Sequence, residues 1–211
     1  MSEDDGTRDR PTALRTTRLE AFSDGVFAIA ITLLILEISI PAGSEDNLLN
    51  TVLEQWPSYL AYLVSFATIG AIWIGHTTVT EYLDHADKWL LRINLSLLLV
   101  MSFLPFPTRL LAESIGHQQA GKDATTIYGL TLLAAATLLS ALWRYAIHQH
   151  LVRPDAADDE VVVQTRKLTP GLAGYLAMIA VGIFFPIIAV LGYLAIAAFI
   201  LIPFPSRRRS R

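Results

Sequence analysis

A few polar side chains stand inside otherwise apolar stretches, and these are the residues that could do chemistry. In the first such stretch, Phe22 to Ile40, Ser23 and Asp24 lie in the first turn, Thr32 near the middle and Glu37 near the end. A carboxylate inside a membrane costs ~2.5–3.5 kcal/mol on insertion scales, so it usually faces protein or water and marks a functional site. The alternative, equally open from polarity and position, is that Asp24 is a helix N-terminal charge at the level of the lipid headgroups.

Histidines are the other candidates for chemistry. His148 and His150 could chelate a metal, and His76 or His85 could act as a base. The sequence has no HExxH motif, nucleophile elbow or phosphate-binding loop, and the 148/150 pair stands beside two arginines, which disfavour a bound cation. It also has no cysteine, so it has no disulfide framework and no thiolate nucleophile. We therefore predict no enzyme activity, no metal site and no cofactor.

The composition is typical of an integral membrane protein. Hydrophobic residues make up 53% of the 211 residues, charged residues make up only 17%, and the mean hydropathy is +0.47. Soluble domains carry about 25% charged residues. The net charge of -3 gives no reason to expect a nucleic-acid partner. These features predict an all-α membrane bundle in contact with lipids.

The apolar stretches predict six transmembrane helices. A helix rises ~1.5 Å per residue, so the first stretch can cross a hydrocarbon core ~30 Å thick. Pro57 begins the second span, Pro105 breaks or kinks the third, and Pro186 divides the last apolar block in two. The membrane unit, 15–205, then has spans at 22–40, 57–76, 89–104, 124–148, 171–185 and 187–204. The first of these is expected to stay in the mature protein, because the acidic start lacks the features of a signal peptide.

Basic residues predict the orientation of these spans. With six spans and a cytoplasmic N-terminus, every Lys and Arg except Arg109 and Lys122 falls on the cytoplasmic side. The positive-inside rule therefore favours a multi-pass plasma-membrane protein with both termini in the cytoplasm. The polar segment 1–14 is predicted to be a disordered tail, 206–211 a basic tail, and the 149–170 connection a candidate small cytoplasmic element.

The first span carries a regular aliphatic stripe. At ~100° per residue, Ile29, Leu33 and Leu36 share one face of the helix, and Thr32 borders it. Small residues, among them Gly25, lie between them, as expected where helices approach closely. Periodicity alone more often indicates a lipid-facing or core stripe than a pore.

Two blocks of residues resemble the signature of a known family. The first block is Arg18 followed by Phe22-Ser23-Asp24 and an Ile/Leu/Thr-rich helix, and the second is Trp73, His76, Asn94 and then the run FLPFPT at 103–108. Together, and in this order, they resemble the transmembrane-protein-175 family of potassium channels. The specific motifs lie within 18–108, the span pattern is similar over about 15–205, and the single six-span unit resembles the prokaryotic members.

This resemblance implies a pore built from several copies of the first span. It implies that Ile29, Leu33 and Leu36 form the narrow rings and that four chains assemble as a homotetramer that passes potassium. An aliphatic ring can close a pore by dewetting. The hydroxyl of Thr32 would lie next to the narrowest ring, where it could hold the water shell of a potassium ion. No TVGYG-type carbonyl filter is present, so selectivity would come from such side-chain rings.

A polar set lies at similar depth on the first three spans, near their cytoplasmic ends. We interpret it as a structural clamp that holds the pore helix, as it is in the family. Asp24 is expected to bond to a neighbouring span rather than to Arg18, because the two lie about 120° apart on one helix. The alternative is that His76 and Asn94 simply lie among the headgroups. The set consists of Arg18, Ser23, Asp24, Trp73, His76 and Asn94.

The rival hypothesis is a secondary transporter that uses Asp24 or Glu37 as a cation or proton site. Such transporters usually contain internal repeats and broken helices with a site at mid-membrane. The sequence has no internal repeat, the first span contains no proline, and Asp24 lies near its end. These features favour a channel.

Overall fold

The computed structural model describes residues 16–39, 47–115, 117–155 and 171–202. Over these ranges the regular structure is helical apart from isolated β-bridge residues at Leu83, Ala86 and Val152, which confirms the all-α class. The tails 1–14 and 206–211, and most of the 149–170 connection, lie outside the described residues. The helices are α1 (Thr16–Leu33, extended by a 3-10 turn, Leu34–Glu37), α2 (Leu48–Glu54), α3 (Trp56–Glu81), α4 (Lys88–Phe103), α5 (Pro105–Ser114), α6 (Gln118–His148), α7 (Gly171–Gly182) and α8 (Pro186–Leu201).

Within the described residues, four helical segments are long and apolar enough to cross a membrane. They are Thr16–Glu37, Trp56–Glu81, Lys88–Ser114 and Gln118–His148. α7 and α8 are also apolar but shorter. The described chain is therefore a helical membrane bundle, and the count of six spans stays a prediction.

The helices extend beyond the predicted spans in several places, including α3, which ends at Glu81 where the predicted span ended at His76. α1 begins at Thr16 and α6 at Gln118, several residues before the apolar stretches begin, because a backbone helix continues into polar residues that hydropathy leaves out. α5 follows α4 directly across Pro105. Pro105 and Pro107 lie in the first turn of α5, where the missing N–H groups have no partner within the helix to lose.

α3 occupies the centre of the bundle. It contacts α1, α5, α6 and α8, and buried side chains follow one another along most of its length. Its polar residues on these contact faces, including Ser65 and Thr68, are buried with the aliphatic ones. Because α3 packs against several neighbours at once, it has no single apolar face.

A short polar clip joins the α3–α4 loop to the end of α6. Asp87 caps α4, with Oδ1 accepting a hydrogen bond from the Leu90 backbone N–H at 2.7 Å, and its Oδ2 accepts one from the Tyr145 hydroxyl at 2.6 Å. The backbones of Leu83 and Val152 form the isolated antiparallel bridge beside it. The clip therefore holds the start of α4 against the last turns of α6.

Glycines allow α6, α7 and α8 to approach closely. A Cβ at Gly129 of α6 would overlap the Tyr193 hydroxyl of α8 and would lie 2.7 Å from Cγ1 of Ile179 on α7. Small residues at such crossings let backbones approach where there is no hydrophobic driving force between helices. Gly70 of α3 differs, because a Cβ there would meet only Cδ2 of Leu201 at an ordinary 3.8 Å.

The contact at Gly129 predicts a sensitive position. Gly129→Ala should lower the free energy of unfolding by ~1–3 kcal/mol, the usual cost of overpacking. Gly70→Ala is the matched control and should be neutral or stabilising, because alanine is the better helix former. The folded fraction after heating in mild detergent, measured by size exclusion, checks both. Equal melting of the Gly129→Ala variant and wild type would contradict the close packing of α6 on α7 and α8.

Candidate functional site

α1 packs into its own chain on one face only. The buried residues recur at helical spacing, and this face contacts α3 and α4. The residues on it are Leu19, Ser23, Phe27 and Ala30, continued by Leu34 in the 3-10 turn. The packed face thus positions the remainder of the helix relative to the bundle.

The opposite face of α1 is largely exposed in the described chain. Ile29 is 61% exposed, Leu33 41% and Leu36 69%, and Thr32 beside them is also exposed. A Cβ at Gly25, one turn before Ile29, would meet nothing within 4 Å. The structure therefore places the predicted ring residues and Thr32 together on one open surface, which we call the free face. Their roles in conduction stay predictions.

The hydroxyl of Thr32 is oriented by its own helix. Its Oγ1 donates a hydrogen bond to the backbone carbonyl of Ile29 at 2.9 Å. This bond uses the hydroxyl proton and leaves the lone pairs of the oxygen unengaged. An oxygen held in this way can accept a hydrogen bond from water or contact a cation.

A buried hydrogen-bonded chain joins α1 to α4 and α3. Asn94 Nδ2 donates to Ser23 Oγ at 3.0 Å, and its Oδ1 lies 2.8 Å from His76 Nε2. With the amide in this orientation, Nε2 of His76 is the donor. All three side chains are at most 2% exposed, and the His76 ring packs on Phe27 at 5.4 Å between centroids. Polar groups at this depth are thus satisfied by one another.

A second bond lies at the margin of the free face. The indole Nε1–H of Trp73 donates to Asp24 Oδ1 at 2.8 Å. Asp24 is exposed in the single chain, and Trp73 is 40% exposed. Within the described residues no ion pair joins Asp24 to Arg18, whose side chain is exposed. Five of the six residues of the predicted clamp therefore lie in two hydrogen-bonded groups, and Arg18 belongs to neither.

The other candidate residues from the sequence lie apart from this cluster. Glu37 ends the 3-10 turn at the far end of α1 and is half-buried. His148 and His150 are exposed at the end of α6, and His85 pairs with Asp84 at 3.0 Å on the surface. Over the part of the chain that the structure describes, no three His, Cys, Asp or Glu side chains could hold a metal ion.

Sequence reasoning missed a second buried polar cluster. Ser65 Oγ lies 2.7 Å from Thr108 Oγ1 and 2.9 Å from Tyr128 Oη, which joins α3, α5 and α6. Tyr128 also packs against Tyr193 of α8. The available signal was the presence of hydroxyl residues in apolar spans at positions that could face inwards, but it did not identify their partners.

The fold and the clamp define a helical membrane protein whose first helix presents a free face. Residues 18–105 match the family model described as "Endosomal/lysosomal potassium channel TMEM175". A potassium channel of Chamaesiphon minutus is 39% identical over 170 residues, 78% of this chain and 83% of that one. The chain belongs to this family of passive ion channels, which are not enzymes.

Two further comparisons agree with this membership. A potassium channel of Streptomyces collinus is 46% identical over 127 residues, which are 60% of this chain and 62% of that relative. The crystal structure of "a lysosomal potassium-selective channel TMEM175 homolog" from Chamaesiphon minutus superposes with a TM-score of 0.80 at 37% identity. That superposition covers 88% of this chain and 95% of the other.

The Asp24–Trp73 bond predicts a structural rather than a selective role for Asp24. We expect Asp24→Ala to reduce the yield of assembled protein, because the Trp73 indole would lose its acceptor at membrane depth, at a cost of ~1–3 kcal/mol. Trp73→Phe should have a similar effect, and the double variant should be little worse than either single one. Yields from size exclusion measure this. Normal assembly of Asp24→Ala with altered ion preference would instead identify Asp24 as an ion site.

Proposed function

We propose that the protein is a potassium-permeable channel in which α1 of each subunit lines a shared pore. The observation that carries the proposal is the free face of α1. One side of this helix is anchored by the Ser23–Asn94–His76 chain, and the other side presents Ile29, Leu33 and Leu36 to its surroundings. Periodicity by itself would favour a lipid-facing stripe. Membership of a channel family supports the pore instead.

The pore requires several copies of the chain. Each subunit contributes one helix with such a face, and one helix cannot enclose a channel. In this proposal four copies assemble around a central axis as a homotetramer, with the α1 helices innermost. Potassium is the permeant ion, and no cofactor takes part. Two relatives are named potassium channels, which supports potassium as the permeant ion.

The free face supplies a hydrophobic constriction. In a symmetric assembly each exposed aliphatic side chain becomes a ring, and Ile29 would form the narrowest one. Such a ring excludes water when it is narrow and can gate by dewetting without a moving plug. Leu33 and, within the 3-10 turn, Leu36 would continue the apolar lining. The constriction thus needs only the helix position that the clamp maintains.

Thr32 is the proposed source of ion discrimination. Its hydroxyl donates to the Ile29 carbonyl, so its oxygen would face the pore as an acceptor. Four such oxygens would contact a partly hydrated cation beside the apolar rings. Potassium reorganises its water shell more readily than sodium, so the ring would favour potassium.

The distribution of basic residues supports a plasma-membrane orientation with both termini in the cytoplasm. Among described residues, Lys88, Arg92 and Arg144 lie at the end of the bundle that carries the clip. Two other basic residues lie towards the opposite end of the bundle. Arg109 is in α5, where it pairs with Glu113 at 2.8 Å, and Lys122 is in the first turns of α6. The positive-inside rule assigns the clip to the cytoplasmic side.

Reconstitution tests conduction and the constriction together. Protein that is tetrameric by native mass measurement should carry passive, electrogenic potassium flux in liposomes. Ile29→Asn should raise this flux at equal protein density, because a polar ring lowers the dewetting barrier. Leu99→Asn, on an exposed face of α4, is the matched control and should leave flux unchanged.

Three outcomes would contradict the proposal. A conducting monomer would exclude the shared pore. Unchanged flux in Ile29→Asn would place Ile29 against lipid or protein. Saturable flux that needs a counter-ion, and that is lost in Asp24→Asn or Glu37→Gln, would favour the transporter.

Thr32 separates selectivity from gating. Thr32→Ala should still conduct but should discriminate less between potassium and sodium, and Thr32→Ser should retain the wild-type preference because it keeps the hydroxyl. Thr137→Ala is a matched control, since Thr137 is an exposed hydroxyl on α6 that also bonds its own helix, at 2.7 Å to the Leu133 carbonyl. Reversal potentials under bi-ionic conditions measure the effect. A Thr32→Ala reversal potential equal to wild type would leave selectivity to the aliphatic rings.

A further inference from the structure

We propose that an anionic phospholipid binds along the groove between α4 and α6, with its phosphate on basic residues at the clip end and an acyl chain in the apolar part. This site lies away from the free face of α1. The lipid site requires only that the chain spans a membrane, so a test of this site does not depend on whether α1 lines a pore.

The acyl-chain part is an apolar groove on the outside of the bundle, with a volume of about 330 Å³. Its one hydroxyl, on Thr131, is already bonded to the Ile127 carbonyl at 2.9 Å, so no polar group in the groove lacks a partner. Such a surface suits a hydrocarbon chain. The groove is lined by Val100 and Phe103 of α4 and by Ile127, Leu130, Thr131 and Ala134 of α6.

The headgroup part is built at the start of α4. The Arg92 guanidinium lies 4.4 Å from the centroid of the Trp89 ring, which is itself 60% exposed. Lys88 lies one turn before Arg92 and is also exposed. A tryptophan with an arginine stacked on it is typical of the level of lipid headgroups, where one end of the ring is wet and the other apolar.

The two parts lie on one face of α4 at a separation that suits a lipid. Trp89, Arg92, Val100 and Phe103 share a helical stripe, since 3, 8 and 11 residues bring the helix back to within about 80° of its starting direction. The 11 residues from Arg92 to Phe103 span ~16 Å. This length is about half of a ~30 Å hydrocarbon core, the depth that an acyl chain of one leaflet reaches.

α6 brings a third basic residue to the headgroup end. The hydrogen bond from Tyr145 to Asp87 holds the last turns of α6 beside the start of α4, and Arg144 is exposed next to Tyr145. α4 contains no acidic residue and neither do the last turns of α6, so the acidic side chains at this end, among them Glu81, Asp84 and Asp87, lie at the end of α3 and in the loop before α4. Lys88, Arg92 and Arg144 are therefore the positively charged side chains that the two groove helices contribute at this end.

This charge pattern identifies the occupant. Positive charge at one end and an apolar surface over the remaining length complement an anionic amphiphile. A helix from a second copy of the chain would need no such basic end.

Native mass spectrometry tests the site on the full-length protein. Purified protein is incubated with phosphatidylglycerol or with phosphatidylcholine of the same acyl chains, and bound lipids are counted. Wild type should retain phosphatidylglycerol preferentially. Lys88→Gln and Arg92→Gln should each weaken this preference about fivefold, as expected for one basic residue at an anionic surface. Lys122→Gln, towards the other end of the bundle, is the control and should retain the preference.

Two further measurements distinguish a bound lipid from the other possible occupants of the groove. Ala134→Phe or Val100→Phe should reduce retention of both lipids by filling the groove, and soluble glycerophosphate should not displace bound phosphatidylglycerol, because it lacks the acyl chain. Equal retention of the two lipids by wild type, or an unchanged preference in Lys88→Gln and Arg92→Gln, would overturn the proposal. A groove variant that alters the number of subunits without altering lipid retention would also overturn it and assign the groove to a second copy.

Discussion

The position of α1 depends on the buried chain from Ser23 through Asn94 to His76. These side chains come from three helices, and each is buried where neither water nor lipid could satisfy its polar atoms. Losing any one of them would leave its neighbours with unpaired groups, so the three helices are constrained together rather than in pairs. Phe27, packed on His76, adds an apolar contact at the same level.

This constraint explains how one helix can have two different faces. Because its contacts to α3 and α4 lie along a single stripe, the remaining surface of α1 is free of the requirements of the subunit core. The side chains on that surface can therefore suit ions that pass along it or helices that pack against it. The Trp73–Asp24 bond at the edge of the stripe gives this helix a second attachment to α3.

The remainder of the bundle combines close helix contacts with a few buried polar bonds. Gly129 and Gly182 allow Tyr193 and the α7 backbone to approach α6, while Ser65, Thr108 and Tyr128 bond to one another near the centre. Where α4 begins and α6 ends, the clip formed by Asp87 and Tyr145 aligns these two helices. That alignment creates the outer groove and gathers basic side chains at one of its ends.

By itself the sequence determined the membrane class, the all-α fold and the face of α1 that carries Ile29, Leu33 and Leu36, because hydropathy and the 3.6-residue period are local properties. It also indicated which polar residues needed partners. Only the tertiary structure decided who those partners are: Asp24 bonds to Trp73, while Arg18 belongs to neither group of the clamp. The same holds for the cluster at Ser65 and for the α4–α6 groove, since both depend on which distant segments pack side by side. A residue's spacing fixes its direction on a helix, but the neighbour in that direction is set by the packing of the whole bundle.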